Sequence, residues 1–368
     1  MIPMADTTLA DAEIEAALRV LRSGNLRQGP ECDSFEHDFA HWVGARHAVT
    51  CANGSAALHL AYTAAFEPGD EVLMPSFSFF ATASMALQSG LKPILCDVDP
   101  GTFLLDLEDA GRRITPRTRG IVPVHLFGAS CPVEAVMAFA EAHRLQIVWD
   151  AAQSMGTRFR GRDIGSLGAL VCYSFYPTKN LFTGEGGMVT TPDPELDQRV
   201  RFLRTHGQTA KYVHTMVGWN YRMTDVEAAI GRAQLDRLGR MLDRRRANAA
   251  QLTAGLQGIP GLQLPTEPPG SESSWHQYSV VVNEAALGMG RDELARRLSS
   301  LGVATAIHYP RGIHEQPVMR ERLGTLRLPV TERLTQTILA LPVHHGLGES
   351  EIGAVVNAVH KAVQGDVV

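Results

Sequence analysis

Short apolar runs alternate with stretches of helical periodicity over the first two thirds of the chain. Runs of four or five mostly apolar residues predict buried strands, and the longer periodic stretches between them, such as Val133–His143, predict helices. A capping box at Thr8 and Asp11 predicts the start of the first helix. The predicted strands are Ala48–Cys51, Glu71–Met74, Lys92–Cys96, Gly120–Val124, Gln146–Asp150, Ala169–Tyr173 and Met188–Thr191. This alternation predicts an α/β fold with a mostly parallel sheet, in which ligands collect at the carboxyl ends of the strands.

The last third of the chain has a different pattern. A capping box at Thr224 and Glu227 opens a long helix. Residues 259–274 are rich in Pro, Gly and Ser, which predicts a crossover between domains. The elements predicted beyond it are a strand over Tyr278–Val282, a helix over Arg291–Ser300, a strand over Val303–His308 and a terminal helix over Glu349–Val363. We therefore predict a large domain over residues 1–255, with an N-terminal helical segment, and a smaller α+β domain over residues 256–368.

Composition and charge mainly exclude classes of protein and of binding partner. The chain is 45% hydrophobic and 20% charged, as in a soluble globular protein, and its formal charge of −5 gives no electrostatic case for nucleic acid. No apolar run approaches the ~20 residues of a membrane span, and the N-terminus has no basic region followed by an apolar one. Three of the five cysteines, Cys51, Cys96 and Cys172, lie in apolar strand-like contexts, which predicts buried thiols in a reducing compartment, and the lack of CxxC spacing disfavours a zinc site. These features predict a cytoplasmic protein with no nucleic-acid or membrane partner.

The stretch Ser174–Gly187 carries the strongest candidate for chemistry. It joins two predicted strands and contains a single lysine, Lys179, together with three glycines. A lysine at the mouth of a sheet, beside glycines that let a ligand approach the backbone, suits an amine that forms a Schiff base. A solvated lysine in a glycine-rich hairpin explains this stretch, taken alone, equally well.

A cofactor that forms a Schiff base with a lysine and acts as an electron sink is pyridoxal phosphate. Two further residues could bind the ring of this cofactor if it were held by Lys179. Asp150 ends a predicted strand and could keep the pyridine nitrogen protonated, although an aspartate at this position could also cap the following helix. Gln153, one helical turn further on, could donate a hydrogen bond to the ring oxygen. The aromatic loop Pro75–Phe80 offers a side chain to stack on the ring.

The phosphate of such a cofactor also has a candidate site. Gly54, Ser55 and Ala56 stand at a strand-to-helix junction, where free backbone N–H groups and the helix dipole favour an anion. Many helices start with small residues, so this signal is weak by itself. Ser174, close to Lys179 in sequence, could add a hydroxyl.

The ordered motifs resemble the DegT/StrS-type sugar aminotransferases, a family of fold-type I pyridoxal-phosphate enzymes, over nearly the whole chain. The motifs are Arg27–Pro30, Asn53–Leu58, Asp150–Gln153, Ser174–Lys179, Gly184–Gly187, Gly218–Met223, His308–Pro310 with His314, and Leu341–Val343. The resemblance implies an aspartate-aminotransferase-like fold, with pyridoxal 5'-phosphate bound by the large domain. Trp149 and the single proline in Pro310–His314 depart from the common pattern of the family.

The resemblance also implies a role for each site residue. The implied roles are Lys179 for the Schiff base and proton transfer, Asp150 for the pyridine nitrogen, Gln153 for the ring oxygen, Phe79 for stacking, Gly54, Ser55, Ala56 and Ser174 for the phosphate, Asn220 for the phosphate of the neighbouring subunit, and His308, Tyr309 and His314 for the substrate cleft. A residue that reaches the neighbouring subunit implies a homodimer with a shared cofactor site.

The implied activity is transfer of an amino group to a nucleotide-linked keto sugar, with L-glutamate as the amino donor. Lys179 stands where dehydratase relatives carry a histidine, which favours transamination. The alternatives are a keto-cyclitol or other secondary-metabolite aminotransferase of the same family, and a non-catalytic regulatory relative. A dinucleotide-binding oxidoreductase is disfavoured because no G-x-G-x-x-G follows an early strand.

Overall fold

A computed structural model describes residues 1–365 and gathers most of the predicted strands into one sheet. The strands in chain order are β1 His47–Cys51, β2 Glu71–Pro75, β3 Lys92–Cys96, β4 Thr118–Ile121, β5 Gln146–Asp150, β6 Arg158–Phe159, β7 Arg162–Asp163, β8 Leu170–Ser174, β9 Gly187–Thr191, β10 Gln208–Ala210, β11 Val213–His214, β12 Leu262–Gln263, β13 Ser271–Glu272, β14 Tyr278–Val282 and β15 Ile338–Leu341. The seven-stranded sheet has the order β1-β9-β8-β5-β4-β2-β3. Its pairs from β8 to β3 are parallel, and only β9 runs against its neighbours. The predicted mostly parallel sheet is confirmed.

Helices pack on both faces of this sheet. The helices of residues 1–365, including those of the C-terminal third, are α1 Asp11–Ser23, α2 Pro30–Val43, α3 Gly54–Ala65, α4 Ala81–Gln88, α5 Leu107–Arg112, α6 Val133–His143, α7 Pro194–Arg204, α8 Asp225–Leu256, α9 Glu284–Leu287, α10 Arg291–Ser300, α11 Pro317–Leu323, α12 Pro329–Thr337 and α13 Glu349–Gln364. Strand β8 shows why both faces are covered: Val171 and Tyr173 join one apolar cluster, whereas Leu170 and Cys172 join another. Apolar side chains on both faces are the mark of a sheet buried between two helical layers.

The sheet direction decides where polar side chains meet. Strands β1, β2, β5 and β8 all run the same way, so their carboxyl ends lie at one edge. That edge carries the start of α3, the aromatic loop after β2, and Asp150 and Ser174 at the ends of their strands.

Helix α8 links the large sheet to the C-terminal elements. It begins with the predicted capping box, in which Thr224 accepts from the Glu227 N–H and the Glu227 carboxylate accepts in return. Leu238 and Leu242 join the core beneath the large sheet, whereas Leu252 packs with the sheet β12-β14-β15 and with α10 and α13. The boundary after residue 255 stays a prediction.

Two sequence predictions are wrong. Val303–His308 is not a strand: only Val303 and Ala306 form isolated bridges, with Ile2 and Ala340. The strand beside β14 is β15, which the sequence pattern did not reveal, and the segment meets β15 only at Ala306. The first helix is capped at Ala10, whose N–H donates to the Glu13 carboxylate, and not at Thr8.

All five cysteines are buried and free, as expected of reduced thiols. Within residues 1–365, no helix is both long enough and apolar enough to cross a membrane. The same residues contain no cluster of three or more His, Cys, Asp or Glu side chains arranged to hold a metal ion.

Candidate active site

A cavity of about 660 Å³ opens at the carboxyl edge of the sheet. Its lining combines the ends of several strands with two segments from the C-terminal third of the chain. The residues that line it are Asn53, Gly54, Ser55, Leu58, Ser78, Phe79, Ala81, Thr82, Val124, Asp150, Ala152, Gln153, Ser174, Tyr176, Thr178, Lys179, Glu185, His276, Gln277, His308 and Tyr309. Nine of the twelve predicted site residues are therefore brought together.

The start of α3 forms one end of the cavity. Asn53 caps the helix by accepting from the Ala56 N–H at 2.8 Å, which leaves the first-turn N–H groups of Gly54 and Ser55 without intrahelical acceptors. Ser174 lies so close that a Cβ on Gly54 would come within 2.6 Å of its Cβ, so this position requires glycine. Free N–H groups, a helix dipole and a hydroxyl together make a cradle for an anion.

Asp150 lies in the depth of the cavity with only 3% of its surface exposed. Its carboxylate accepts from the Thr82 hydroxyl at 2.8 Å and from the Ala152 N–H at 3.1 Å. Burial raises the pKa of Asp150, against the opposing effect of these two donors and of the Lys179 charge. Since no cationic side chain in residues 1–365 donates to either oxygen, the carboxylate would gain most from a positively charged ligand group.

Lys179 reaches the same cavity from the loop after β8. Its N–H donates to the Tyr176 carbonyl at 2.8 Å, and the next residue, Asn180, is buried and donates to the carbonyls of Met155 and Ser274. The lysine is thus fixed on a tight turn and is not a mobile surface residue. Burial lowers the pKa of Lys179 to about 8, although the Asp150 charge opposes the shift. A substantial fraction of the amine is therefore neutral, and hence nucleophilic, near neutral pH.

Gln153 and two aromatic residues complete the middle of the cavity. Gln153 accepts from the Phe127 N–H at 3.0 Å and donates to the Tyr309 hydroxyl at 2.7 Å. Phe79 lies 6.2 Å from the Tyr309 ring, centroid to centroid, and is 59% exposed. A large apolar ring left this open on a cavity wall can cover the face of a flat ligand.

Comparison with known proteins identifies the chain's relatives. Residues 7–360 match the model of the DegT/DnrJ/EryC1/StrS aminotransferase family. The chain belongs to this family. The match covers almost the whole chain, which confirms the family predicted from the ordered motifs and, with it, the enzyme class.

Three curated relatives are similar over almost their full length. A pleiotropic regulatory protein from Geobacillus stearothermophilus is 36% identical, with 97% of each chain covered. A UDP-N-acetyl-3-dehydro-alpha-D-glucosamine 3-aminotransferase from Acidithiobacillus ferrooxidans is 35% identical, with 99% of this chain and 98% of the relative covered. A dTDP-3-amino-3,4,6-trideoxy-alpha-D-glucose transaminase from Streptomyces venezuelae is 38% identical, with 95% and 92% covered.

A solved structure agrees with the fold. DesV from S. venezuelae, in complex with a ketimine intermediate, superposes with a TM-score of 0.94 at 36% identity, over 99% of this chain and 98% of DesV. The aspartate-aminotransferase-like fold is therefore confirmed. The DegT/DnrJ/EryC1/StrS enzymes are pyridoxal-phosphate-dependent aminotransferases, so a cradle, a buried carboxylate and a lysine in one cavity are what this family requires.

Three predicted site residues do not line the cavity. Ala56 is buried behind it, and its N–H is already taken by Asn53, which lines the cavity in its place. Asn220 is exposed on a segment that bridges to Thr205, so its contact with a neighbouring subunit stays a prediction.

His314 is the third, and its role in the substrate cleft stays a prediction. It is buried against the loop after β2, with Nδ1 2.7 Å from the Ser76 hydroxyl, which also accepts from the His314 N–H at 3.1 Å. Its side chain contacts that loop and does not line the cavity.

Two residues that the sequence did not single out belong to the site. Thr82 supplies the hydroxyl that donates to Asp150, and its place in the first turn after the aromatic loop could have suggested it. His276 lines the cavity from a segment predicted to lie beside a domain crossover. No local pattern marks it, because its position depends on contacts distant in sequence.

Proposed function

We propose that this member of the family uses pyridoxal 5'-phosphate to transfer an amino group from L-glutamate to a nucleotide-linked keto sugar. The observation that carries the proposal is that Lys179 and Asp150 meet in one cavity with the anion cradle at Gly54 and Ser55. Support for the keto sugar comes from two relatives, whose names describe transfer to UDP-linked and dTDP-linked sugars.

The residues present fit the cofactor. The N–H groups of Gly54 and Ser55, with the Ser174 hydroxyl, would hold the phosphate. Asp150 would hold the proton on the pyridine nitrogen, which supplies the positive charge that this buried carboxylate otherwise lacks. When bound, pyridoxal phosphate supplies an electron sink for negative charge at the carbon that carries the amino group.

Gln153 and Phe79 would serve the ring itself. The Gln153 amide would donate to the ring oxygen, and the exposed ring of Phe79 would cover one face. These roles follow the family pattern and use side chains that already line the cavity.

Lys179 would carry the chemistry. Its Nζ, with a pKa of about 8, can attack a carbonyl carbon when neutral and can carry a proton when charged. Because the lysine is fixed on one side of the cavity, it would move the proton on one face of the reacting carbon. One cavity would then serve both substrates in turn, so we expect ping-pong kinetics, with 2-oxoglutarate released before the keto sugar reacts.

The working unit in this proposal is a homodimer, in which Asn220 reaches the phosphate bound by the partner copy. Asn220 is exposed, and so are Tyr212, Val213 and Val217 just before it. Large apolar side chains left open beside a predicted contact residue favour burial against a second copy.

A regulatory role without chemistry has one observation in its favour, the name of the Geobacillus relative. Lys179 and Asp150 are nevertheless both present and share the cavity, which favours an enzyme. A keto-cyclitol acceptor is the other alternative.

Two measurements test the proposal. Purified protein loaded with pyridoxal phosphate should show a visible absorption band that L-glutamate removes, with one 2-oxoglutarate formed per site. Mass spectrometry with ¹⁵N-labelled glutamate and a panel of UDP- and dTDP-linked keto sugars and keto cyclitols should then show which acceptor gains the label. A band that glutamate leaves unchanged, or a label found only in a cyclitol, would contradict the proposal in its donor or its acceptor respectively.

A further inference from the structure

The segment Ser273–Gln277 brings His276 and Gln277 to the wall of the cavity and is held mainly by contacts with residues distant in sequence. The Gly128 carbonyl accepts from the Ser274 N–H at 3.0 Å, from the Ser273 hydroxyl at 2.9 Å and from the Thr157 hydroxyl at 2.7 Å. A Cβ on Gly128 would come within 2.7 Å of the backbone nitrogen of His276, so the two backbones are in close contact. Such packing fixes the segment and is not typical of a mobile linker.

Further bonds tie this segment to the residues that surround Lys179. Asn180, which follows the lysine, donates to the Ser274 carbonyl at 3.1 Å. Arg245 of α8 donates to the carbonyls of Trp275 and His276 at 3.1 and 3.4 Å. The backbone of His276 is therefore held from both sides, and the lysine loop and the His276 segment keep a fixed relation to one another.

The side chain of His276 is 7% exposed, and the cavity is the space that it lines. Its Nδ1 is enclosed and, among the described residues, has no hydrogen-bond partner. Nε2 is not enclosed, which leaves it as the ring nitrogen open to the cavity. Of the two ring nitrogens, Nε2 is therefore the one that a ligand in the cavity can reach.

The state of the ring follows from its surroundings. Burial lowers the pKa of His276 far below its ordinary value, and the positive charges of Lys179 and Arg245 act in the same direction, so the ring is neutral. A neutral imidazole has one N–H, and an enclosed donor without an acceptor is rarer than an enclosed acceptor without a donor. We therefore assign the proton to Nε2, which presents an N–H donor to the cavity.

The two substrates differ in what they place next to the reacting carbon. An amino acid carries its carboxylate directly on that carbon, whereas a nucleotide-linked sugar carries its phosphates several bonds away and neutral groups nearby. Among the described residues of one copy, no arginine lines the cavity, so its lining does not include the usual bidentate partner of a carboxylate.

A neutral donor suits a site that must accept both substrates. A buried arginine beside the reacting carbon would be left without a partner whenever the neutral sugar ring replaced the amino acid, at a large desolvation cost. An unpaired imidazole N–H costs far less when the sugar is bound, and it can still donate to the carboxylate of the amino acid.

We propose that His276, through Nε2–H, donates a hydrogen bond to the carboxylate on the reacting carbon of the amino donor. This role rests on the proposed function, because it assumes that an amino acid reacts at Lys179.

Three substitutions test the role at atomic detail. His276→Gln can place an amide N–H near the position of Nε2, His276→Asn places its amide near the enclosed Nδ1, and His276→Phe has no donor. We expect Asn and Phe to raise the KM for L-glutamate roughly 10- to 100-fold, as for loss of a hydrogen bond to a charged group, and Gln to stay within about threefold of wild type. The KM for the keto sugar should change by less than about threefold in all three, as should both values in the control His143→Gln, which alters an exposed histidine on α6.

Single-turnover titration of each holoenzyme with L-glutamate, followed by absorbance, separates the possible outcomes. The role is overturned if the Phe and Asn variants bind glutamate as wild type does, if Gln fails together with them, or if the loss falls on the keto sugar. If His276→Phe or His276→Asn fails to fold, its melting temperature will be lowered. The test then depends on His276→Gln, which must keep the glutamate KM of the wild type for the role to stand. If wild-type holoenzyme gives no response to glutamate, the proposed function fails first and this role falls with it.

Discussion

The two walls of the cavity are built in different ways. On the sheet wall, Asp150 and Ser174 are the last residues of their strands, and Gly54 is the first residue of a helix. On the opposite wall, His276 and Tyr309 lie on segments outside the regular elements, held by bonds to residues far away in sequence. The sheet wall thus owes its geometry to local chain direction, and the opposite wall owes its geometry to tertiary packing. We expect substitutions on the sheet wall to abolish chemistry, and those on the opposite wall to alter affinity or stability.

The largest effect is expected for Lys179→Ala. Removing Lys179, which supplies the only amine among the described residues that line the cavity, should lower kcat by about 1,000-fold or more, since both the nucleophile and the proton carrier are lost. Turnover measured with glutamate and the accepted keto sugar checks this. Lys361→Ala, which alters an exposed lysine on the terminal helix, is the matched control and should leave kcat unchanged. Substantial turnover by the Lys179→Ala enzyme would show that the lysine on the sheet wall is not required for the reaction.

Asp150→Asn should have the next largest effect. The substitution keeps the size of the side chain but removes the charge that would balance a protonated pyridine nitrogen, so kcat should fall about 100- to 1,000-fold. The control is Thr82→Val, which removes the hydroxyl donor at 2.8 Å but leaves the carboxylate, and should cost at most about tenfold. If Thr82→Val were the more damaging of the two, the carboxylate charge would not be what matters at this position.

The sheet wall could be predicted because local rules fix it. A strand that ends in Asp150, or a small-residue helix start at Gly54, places its polar groups at the sheet edge whatever the rest of the chain does. The predicted strands over Lys92–Cys96, Gln146–Asp150 and Tyr278–Val282 match the structure residue for residue. Ala56 was misjudged on this wall because the capping bond from Asn53, which occupies its N–H, depends on side-chain geometry.

The opposite wall could not be predicted in the same way. Nothing in the sequence beside His276 shows that Gly128, more than 140 residues earlier, holds its segment, or that the segment closes the cavity. The predicted strand Val303–His308 failed for a related reason, since only Ala306 of this segment bonds to a strand, at Ala340 of β15. His314 stands in a family motif near His308, yet its side chain turns away from the cavity to Ser76. Sequence proximity to a site is a weak guide where no strand fixes the direction of the side chain.

Ser76→Ala should separate anchoring from substrate binding at His314. The substitution leaves the His314 N–H and its Nδ1 buried without their partner, so the free energy of unfolding should fall by about 1–3 kcal/mol. The KM for the keto sugar should change little, because neither residue lines the cavity. Urea unfolding of the apoenzyme and steady-state kinetics of the holoenzyme give the two values. A raised KM for the keto sugar without loss of stability would instead favour a role for His314 in substrate binding.

The smallest effect is expected where the two walls meet, at the hydrogen bond from Gln153 to the Tyr309 hydroxyl. Tyr309→Phe removes this 2.7 Å bond but keeps the ring that packs near Phe77 and Phe79. Gln153 keeps its bond from the Phe127 N–H and can turn its amide toward the ring oxygen of the cofactor, so pyridoxal phosphate should bind the apoenzyme only about 2- to 10-fold more weakly. Fluorescence titration of the apoenzyme measures this affinity, with Gln153→Leu as the comparison that removes the amide as well. If Tyr309→Phe weakened pyridoxal phosphate binding as much as Gln153→Leu does, the Tyr309 hydroxyl would be needed to orient the Gln153 amide toward the cofactor ring. The two walls would then form a single binding unit.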